Sequence, residues 1–217
     1  MTAGVFLSLD GLDGTGKSTQ ARMLVDRLRS RGIAVTACAD PGGTALGAKV
    51  RELLLFGRET HIEPRAEAAL FMASRAQLVD EVIRPALVRG EVVVCDRFLI
   101  STVVYQGHGR RDAGGLGPDA LWEIGTAFAD GLLPDLTLVF DLPPDEAARR
   151  RDRSPDRMES RDSKYFESVR QGFLAEARRR AESHVILDAS PPTDEVHAAV
   201  WQAVSPLLIA RGHLTKG

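Results

Sequence analysis

The sequence has little cysteine, with only Cys38 and Cys95 in 217 residues. Two cysteines in a chain of this length make no disulfide framework, and their spacing suits no zinc site. Each lies in or beside an apolar segment, where a small buried side chain is the usual outcome. We therefore assign these thiols no redox or metal-binding role and expect a protein of the reducing cytoplasm.

Long apolar stretches and an excess of charge of one sign are also missing. The longest apolar segments are too short to cross a membrane, and the N-terminus lacks the pattern of a secretion signal. The formal net charge of −2 predicts no general attraction to nucleic acid or to anionic membranes. No repeat or long linker divides the chain, so we expect a single domain spanning residues 1–217.

Five short apolar segments recur along the chain and read as β-strands. They show no clean polar alternation, which is typical of strands buried on both faces of a parallel sheet. The segments are Val5–Asp10, Ile33–Cys38, Val92–Asp96, Leu136–Asp141 and Val185–Asp188. Stretches with helical periodicity separate them, which predicts a three-layer, doubly wound α/β fold with a five-stranded parallel sheet between helices.

Two of the intervening stretches carry further local signals. The stretch from Pro64 to Val88 has one apolar stripe and a possible kink at Pro85. Near the C-terminus, Thr193 is placed to cap a helix over Asp194–Val204. The glycine-rich segment Gly107–Gly117 breaks the periodicity and is expected to form an exposed loop.

A phosphate-binding loop follows the first predicted strand directly. Its glycines allow backbone N–H groups to converge on a phosphate at the positive end of the next helix. Lys17 would bridge the β- and γ-phosphates of a nucleoside triphosphate, and Ser18 would offer its hydroxyl to Mg²⁺. The predicted ATP-binding residues of this loop are Gly11, Leu12, Asp13, Gly14, Thr15, Gly16, Lys17, Ser18 and Thr19.

The third apolar segment ends in Asp96 and Arg97, at the sheet edge where α/β proteins bind ligands. An acid at this edge can help to hold hydrated Mg²⁺, and the planar guanidinium that follows can grip a second phosphate. The alternative is an ordinary surface ion pair.

Taken together, six segments resemble the thymidylate kinase family. They are GLDGTGKST (Gly11–Thr19), DPGGT (Asp40–Thr44), VRELLL (Val50–Leu55), FMASRAQLV (Phe71–Val79), DRFLISTVVYQG (Asp96–Gly107) and DASPPTDEV (Asp188–Val196). The resemblance implies transfer of the γ-phosphoryl group of ATP to dTMP, giving dTDP, with Mg²⁺ and usually in a homodimer. The chain departs from the family at Ala39-Asp40, where the family commonly has Arg-Glu.

The resemblance also assigns roles on the acceptor side. Arg51 and Arg97 would hold the dTMP phosphate, since two guanidinium groups suit a dianion. Phe71 would stack on thymine, and Arg75, one turn along the same helix, would reach its carbonyl edge. Read from the residues alone, Phe71 could instead be part of the core, and both helical arginines could be solvated surface charges.

Four further acceptor contacts are implied by the same resemblance. Ser101 and Gln106 would hydrogen-bond near the base, and Asp13 would meet the 3′-hydroxyl of the sugar. Tyr105 would fill the space that a ribose 2′-hydroxyl needs, selecting the deoxy sugar. An acid among phosphate-binding amides is electrostatically costly, which favours a functional role for Asp13.

The arginine-rich segment Arg149–Asp162 is predicted to form a mobile lid over ATP. In the resembled family one catalytic arginine comes from either the P-loop or the lid. Gly14 supplies no charge from the loop, so the lid must provide it. Arg153 is the first choice, with Arg151 and Arg157 as alternatives, and Arg150 would stack on adenine. Lys17, Arg97 and Arg153 are then the predicted catalytic residues.

Two other functions compete with this prediction. The first is a P-loop kinase acting on a different nucleoside monophosphate or another small molecule. The second is a nucleotide-switch binding module, which would need a guanine-reading segment or a clear partner surface. The sequence contains neither of these two features, and its second phosphate-binding arginine favours an acceptor substrate.

Overall fold

The computed structural model describes residues 2–57, 60–109, 114–150 and 163–215. Its centre is one parallel sheet with the strand order β2-β3-β1-β4-β5. The strands are β1 (Val5–Gly11), β2 (Val35–Ala39), β3 (Val92–Asp96), β4 (Leu136–Asp141) and β5 (His184–Asp188). The predicted five-stranded parallel α/β sheet is confirmed.

Helices cover both faces of the sheet in the described part of the chain. They are α1 (Lys17–Ser30), α2 (Ala45–Phe56), α3 (Pro64–Leu78), α4 (Arg84–Val88), α5 (Leu99–Thr102), α6 (Pro118–Phe128), α7 (Pro144–Arg149), α8 (Ser163–Arg179) and α9 (Thr193–Ala210). Two π-helical turns, Val79–Ile83 and Val103–Gly107, follow α3 and α5. None of these helices is long and apolar enough to cross a membrane.

The starting points of some strands and helices differ from the sequence prediction, and local hydrogen bonding explains the differences. The second strand begins at Val35 and not at Ile33, because the Ile33 N–H donates to Leu28 O and so closes the end of α1. Helix α9 begins at Thr193 itself, so the predicted Thr193 cap is wrong by one residue, and the extended Pro192 is the cap. The π turn at Val79–Ile83 immediately precedes α4, where Pro85 has no N–H to continue the α-helical ladder.

The predicted loop over Gly107–Gly117 also begins later than expected. Gly107 is buried in the π turn, and a Cβ there would lie 3.1 Å from a Leu121 methyl and 3.4 Å from the Pro118 backbone. The middle of the predicted loop, residues 110–113, lies outside the described residues. The close packing of the π turn against α6 fixes the segment that carries Tyr105 and Gln106.

The sheet centre supplies the rigid base of the site. Every residue of β1 is buried, while all residues of the edge strands β2 and β5 except Leu187 are half-buried or exposed. Burial of apolar area stabilises such a layer by roughly 25 cal/mol per Å². The carboxyl ends of β1 and β3 are neighbours, with Leu9 paired to Asp96. The loops that follow these two strands therefore meet at one edge of the sheet.

Candidate active site

The loop after β1 has the backbone that a phosphate cradle needs. Gly14 and Gly16 adopt positive φ angles of 92° and 89°, which side chains other than glycine rarely adopt. Thr15 closes the loop by donating from Oγ1 to Leu12 O at 2.9 Å. Gly11 cannot be replaced easily, because a Cβ there would lie 2.5 Å from Phe140 O. The loop thus turns its backbone N–H groups toward the cleft at the start of α1.

Lys17 lies inside this loop and is almost fully buried. Its Nζ donates to Leu12 O at 2.6 Å and lies 4.0 Å from Asp13 Oδ1. Burial, assisted by the neighbouring charge of Arg97, lowers the pKa of Lys17 to about 8, against the opposing effect of three carboxylates. A buried ammonium group of this kind is ready to pair with phosphate oxygens.

The two predicted Mg²⁺ ligands, Ser18 and Asp96, are brought together by the structure. Ser18 Oγ donates to Asp96 Oδ2 at 2.5 Å, joining the first turn of α1 to the end of β3. One hydroxyl and one carboxylate beside a phosphate cradle suit Mg²⁺, which keeps several waters and shares its ligands with substrate phosphates. The donor atoms at this position therefore fit the ion that the sequence predicts.

The P-loop opens into a cleft of about 1150 Å³, called here the donor cleft. One wall is the P-loop, and another is the segment 189–193 that leads into α9. Arg150 lies at this wall, where it donates to Ala189 O at 2.7 Å and to Ser190 O at 3.1 Å. The structure thus places Arg150 in the donor cleft, as an adenine-stacking residue requires.

Arg97 connects the donor cleft to a second cavity. Its backbone has the unusual positive φ of 72°, which turns the side chain back toward the P-loop. The guanidinium donates to Asp13 Oδ1 at 2.6 Å, to Gly11 O at 2.8 Å and to Ser101 Oγ at 3.0 Å. Burial works against the charge of Arg97, but Asp13 and Tyr105 outweigh it and raise the pKa of the arginine.

Asp13 and Tyr105 complete this junction. The Tyr105 hydroxyl donates to Asp13 Oδ2 at 3.3 Å, and the Arg97 guanidinium lies 5.2 Å from the centre of the Tyr105 ring. Burial and the Asp13 charge raise the pKa of Tyr105 well above its usual value, so the phenol stays protonated and can donate. Arg97 is only 16% exposed and its ion pair is with Asp13 of the P-loop, inside a polar network, so the alternative of an ordinary surface ion pair does not describe it.

The second cavity, called here the acceptor cavity, has a volume of about 90 Å³. It contains all of the predicted acceptor residues. Its lining consists of Asp13, Asp40, Pro41, Arg51, Leu55, Phe71, Arg75, Arg97, Ser101, Thr102, Tyr105 and Gln106. Phe71 is partly buried and packs against the small cluster of Val50, Leu54 and Ile62, so it serves the core and the cavity wall together.

Arg75 is the most deeply buried of the three arginines that line the acceptor cavity. It is only 1% exposed, so the alternative of a solvated charge on the helix surface is wrong. Nε donates to Asp40 Oδ2 at 2.6 Å, and Nη2 donates to Thr102 Oγ1 at 2.7 Å. Arg51 differs from it, because it remains exposed and donates to Pro41 O at 3.0 Å from the cavity rim.

Sequence reasoning missed the buried acids that hold these side chains. Asp10 is completely buried and accepts from the Phe98 N–H at 3.2 Å and from Ser101 Oγ at 2.6 Å. Asp40 occupies the position where the chain departs from the family pattern, and burial raises its pKa despite the opposing charge of Arg75. Both acids end or follow apolar strands, and that placement was the available signal.

Glu67 is the third buried acid that the sequence prediction omitted. It lies on α3 four residues before Phe71 and eight before Arg75, so all three share one face of the helix. The i, i+4, i+8 spacing was therefore the signal that could have found it.

Three predicted lid residues, Arg151, Arg153 and Arg157, lie outside the described residues.

A parallel sheet with a P-loop after its first strand, and an arginine-lined cavity beside that loop, define a kinase of the P-loop NTPase class. A sequence profile of the thymidylate kinase family matches residues 9–200. The chain therefore belongs to the thymidylate kinase family and is an ATP-dependent nucleoside monophosphate kinase.

Individual relatives agree with this assignment. The chain is 46% identical to the thymidylate kinase of Deinococcus radiodurans over 217 residues, which cover 98% of this chain and 100% of that protein. It is 44% identical to the thymidylate kinase of Clavibacter michiganensis, over 95% and 97% of the two chains. The crystal structure of thymidylate kinase from Ehrlichia chaffeensis matches with a TM-score of 0.76 at 26% identity, covering 93% of this chain and 99% of that chain.

Proposed function

We propose that this protein transfers the γ-phosphoryl group of ATP to dTMP, giving dTDP, with Mg²⁺ as the metal ion. One observation supports this most directly: Asp13 and Arg97 line both the donor cleft and the acceptor cavity. A triphosphate in the P-loop and a monophosphate beside Arg97 would then meet end to end. Phosphoryl transfer needs this alignment of two phosphates and positive charge around the moving group.

On the donor side, the loop residues Gly11–Thr19 bind the triphosphate and Arg150 contacts the adenine. Lys17 neutralises charge on the transferred group, since its ammonium is already enclosed by the loop. Ser18 and Asp96 would hold Mg²⁺, which would neutralise negative charge on the triphosphate.

Phosphoryl transfer needs one further positive charge beside the moving group. This charge comes from the lid, because the P-loop carries Gly14 and no arginine at that position. Arg153 is the residue that we propose for this role. An arginine that closes over the transition state is worth roughly 10³-fold or more in kcat in enzymes of this chemistry.

On the acceptor side, Arg51 and Arg97 bind the dTMP phosphate, since both line the donor cleft as well as the acceptor cavity. Phe71 stacks on the base, while Arg75, Ser101 and Gln106 present hydrogen-bonding groups to it. The sugar lies against Asp13 and Tyr105, and the Tyr105 ring fills the space that a 2′-hydroxyl would need.

The expected assembly is a homodimer in the cytoplasm. Several large apolar side chains are exposed on the described surface, among them Leu46 and Phe56 of α2 and Phe128 at the end of α6. A dimer would cover some of them. Light scattering of the purified protein at micromolar concentration gives the mass that decides between one chain and two.

An acceptor panel tests the proposed function. Initial rates of ADP release are measured with dTMP, dUMP, dCMP, UMP, GMP and AMP at saturating MgATP. We expect dTMP to have the highest kcat/KM, by about 10-fold over dUMP, which lacks only a methyl group, and by more over the other acceptors. A higher value for any base other than thymine would instead identify a different nucleoside monophosphate kinase.

A further inference from the structure

A buried carboxylate lies directly behind the Gln106 amide. Gln106 Nε2 donates to Glu67 Oε1 at 3.1 Å, joining the π turn after α5 to helix α3. Glu67 is 0% exposed and Gln106 is 1% exposed. Gln106 lines the acceptor cavity and Glu67 does not, so the acid forms the layer behind the cavity wall.

The contact with Glu67 decides which end of the Gln106 amide faces the cavity. A carboxylate accepts hydrogen bonds and does not donate them, so it selects the NH₂ end of the neighbouring amide. Reversing the amide would bring its carbonyl oxygen against the Glu67 oxygens, which is repulsive. Gln106 Oε1 accepts no hydrogen bond from any described residue, and it is left as an acceptor for a bound base.

Arg75 presents the opposite hydrogen-bonding character to the same cavity. Its guanidinium uses three N–H groups on Asp40, Thr102 and the Met72 sulfur. A guanidinium has five N–H donors, so two remain for a ligand. The orientation of this side chain is fixed from behind by Asp40 in the way that Gln106 is fixed by Glu67.

The cavity therefore offers a donor from Arg75 and an acceptor from Gln106. Thymine and uracil carry a carbonyl oxygen at position 4 and an N–H at position 3, which match this pair. Cytosine has an amino group at position 4 and a bare ring nitrogen at position 3, so both of its groups meet a partner of the same kind. Mismatched buried polar groups are rejected far more strongly than a missing methyl group.

We propose that Glu67 is a positioning residue that makes the acceptor site specific for 4-oxo pyrimidines over cytosine, by fixing the Gln106 amide. This inference rests on the proposed function, because it requires that a pyrimidine nucleotide occupies the cavity. Glu67 touches no substrate itself. It acts through the orientation of Gln106, and its effect is confined to the choice between bases.

The substitution Glu67→Gln tests this role with almost no change in shape. The two facing amides can then pair in either orientation, and one of them turns the Gln106 NH₂ group toward the cavity. We expect kcat/KM for dTMP and for dUMP to fall together by roughly 10-fold, with their ratio unchanged. For dCMP, measured as a substrate and as a competitor of dTMP, the preference for dTMP should fall by about 100-fold.

Glu81→Gln is the matched control. Glu81 also accepts from a glutamine, Gln77, but this pair is exposed and lies away from the acceptor cavity. The control removes one carboxylate from a Glu–Gln pair just beyond the same helix without touching the base site. In this variant, kcat/KM for dTMP, dUMP and dCMP should each stay within about twofold of the value for the original enzyme.

The double substitution Glu67→Gln with Gln106→Glu exchanges the two side chains. The amide at position 67 then donates to the carboxylate at position 106, whose other oxygen accepts from the base. We expect this variant to regain the preference for dTMP over dCMP that Glu67→Gln loses, and it can be assayed even if the single variant does not fold. Thermal melting of each variant establishes that the folded protein is compared.

Two results would overturn the proposal. One is an equal loss of activity on dTMP, dUMP and dCMP in Glu67→Gln, which would make Glu67 a purely structural residue. The other is a double variant that turns over dTMP but discriminates against dCMP no better than the single variant. Failure of the proposed function looks different, since the unmodified protein would then not prefer dTMP in the acceptor panel.

Discussion

The donor cleft and the acceptor cavity adjoin one another but are built in opposite ways. The cleft, at about 1150 Å³, is lined by the glycine-rich P-loop and by the connecting segments 39–43 and 189–193. The cavity, at about 90 Å³, is enclosed by side chains whose polar ends are held by buried acids. A triphosphate is thus recognised by main-chain geometry, and an acceptor base by side chains fixed from behind.

This difference separates the consequences of substitution. Changes on the donor side should lower the rate of phosphoryl transfer while leaving the fold intact. Changes behind the acceptor cavity should affect folding and substrate choice together, because a buried polar group without its partner costs free energy in the folded state.

The largest expected effect lies on the donor side, at Arg153. The substitution Arg153→Ala should lower kcat by roughly 10³-fold with a modest change in KM, because the missing charge acts in the transition state. Steady-state kinetics with dTMP and MgATP measures both constants. Arg151→Ala and Arg157→Ala are the matched variants, and near-normal turnover in Arg153→Ala with a large loss in one of them would move the role to that arginine.

The next effect lies behind the acceptor cavity, at Asp40. Asp40→Asn leaves the buried charge of Arg75 without its partner at 2.6 Å. Breaking a buried ion pair of this kind lowers the free energy of unfolding by about 3 kcal/mol. Urea denaturation measures this loss. Titration calorimetry should show that the substitution weakens the binding of dTMP more than the binding of MgATP.

The control for Asp40 is an exposed ion pair. Asp130 lies 3.0 Å from Arg84 at the surface and adopts a positive φ of 48°. Asparagine tolerates that backbone conformation, so Asp130→Asn removes the charge without straining the chain. Its stability should stay close to that of the original protein. An equal loss in both variants would contradict the role of burial at Asp40.

The residues of the P-loop and those that line the acceptor cavity could be predicted from the sequence, but the acids behind the cavity could not. The P-loop, the strand ends and the Ser18–Asp96 pair are local patterns, and local patterns are readable without a structure. Phe71, Arg75, Gln106 and their neighbours were found through a family resemblance. The acids behind them were not, since contacts such as that between Asp10 and Ser101 span 91 residues and depend on the packing of the whole sheet.

A smaller effect is expected at the proposed magnesium site. Ser18→Ala removes the hydroxyl that faces Asp96 and should lower kcat/KM by between about 10-fold and 100-fold. Raising the Mg²⁺ concentration should recover part of the loss, because the remaining ligands still bind the ion. Ser30→Ala, at the exposed far end of the same helix, is the control. If added Mg²⁺ does not restore any of the lost kcat/KM, Ser18 supports the structure of the loop and is not a metal ligand.

The smallest effect is expected at the junction of the two sites. Tyr105→Phe removes the hydroxyl that donates to Asp13 but keeps the ring beside Arg97. This hydrogen bond is long, at 3.3 Å, so its loss costs about 1 kcal/mol and should lower kcat/KM for dTMP by roughly 5-fold. Because the ring still occupies the space of a 2′-hydroxyl, the variant should continue to reject the ribose form of thymidine monophosphate.

Comparison of the deoxy and ribose forms of the nucleotide gives this experiment its control. In Tyr105→Ala the ring is gone, so the ribose form should gain relative to dTMP. If Tyr105→Phe already admits the ribose form, sugar selection depends on the hydroxyl and on its contact with Asp13. That result would show that the junction reads the sugar by hydrogen bonding, in the manner of the acceptor cavity, and that steric exclusion plays the lesser part.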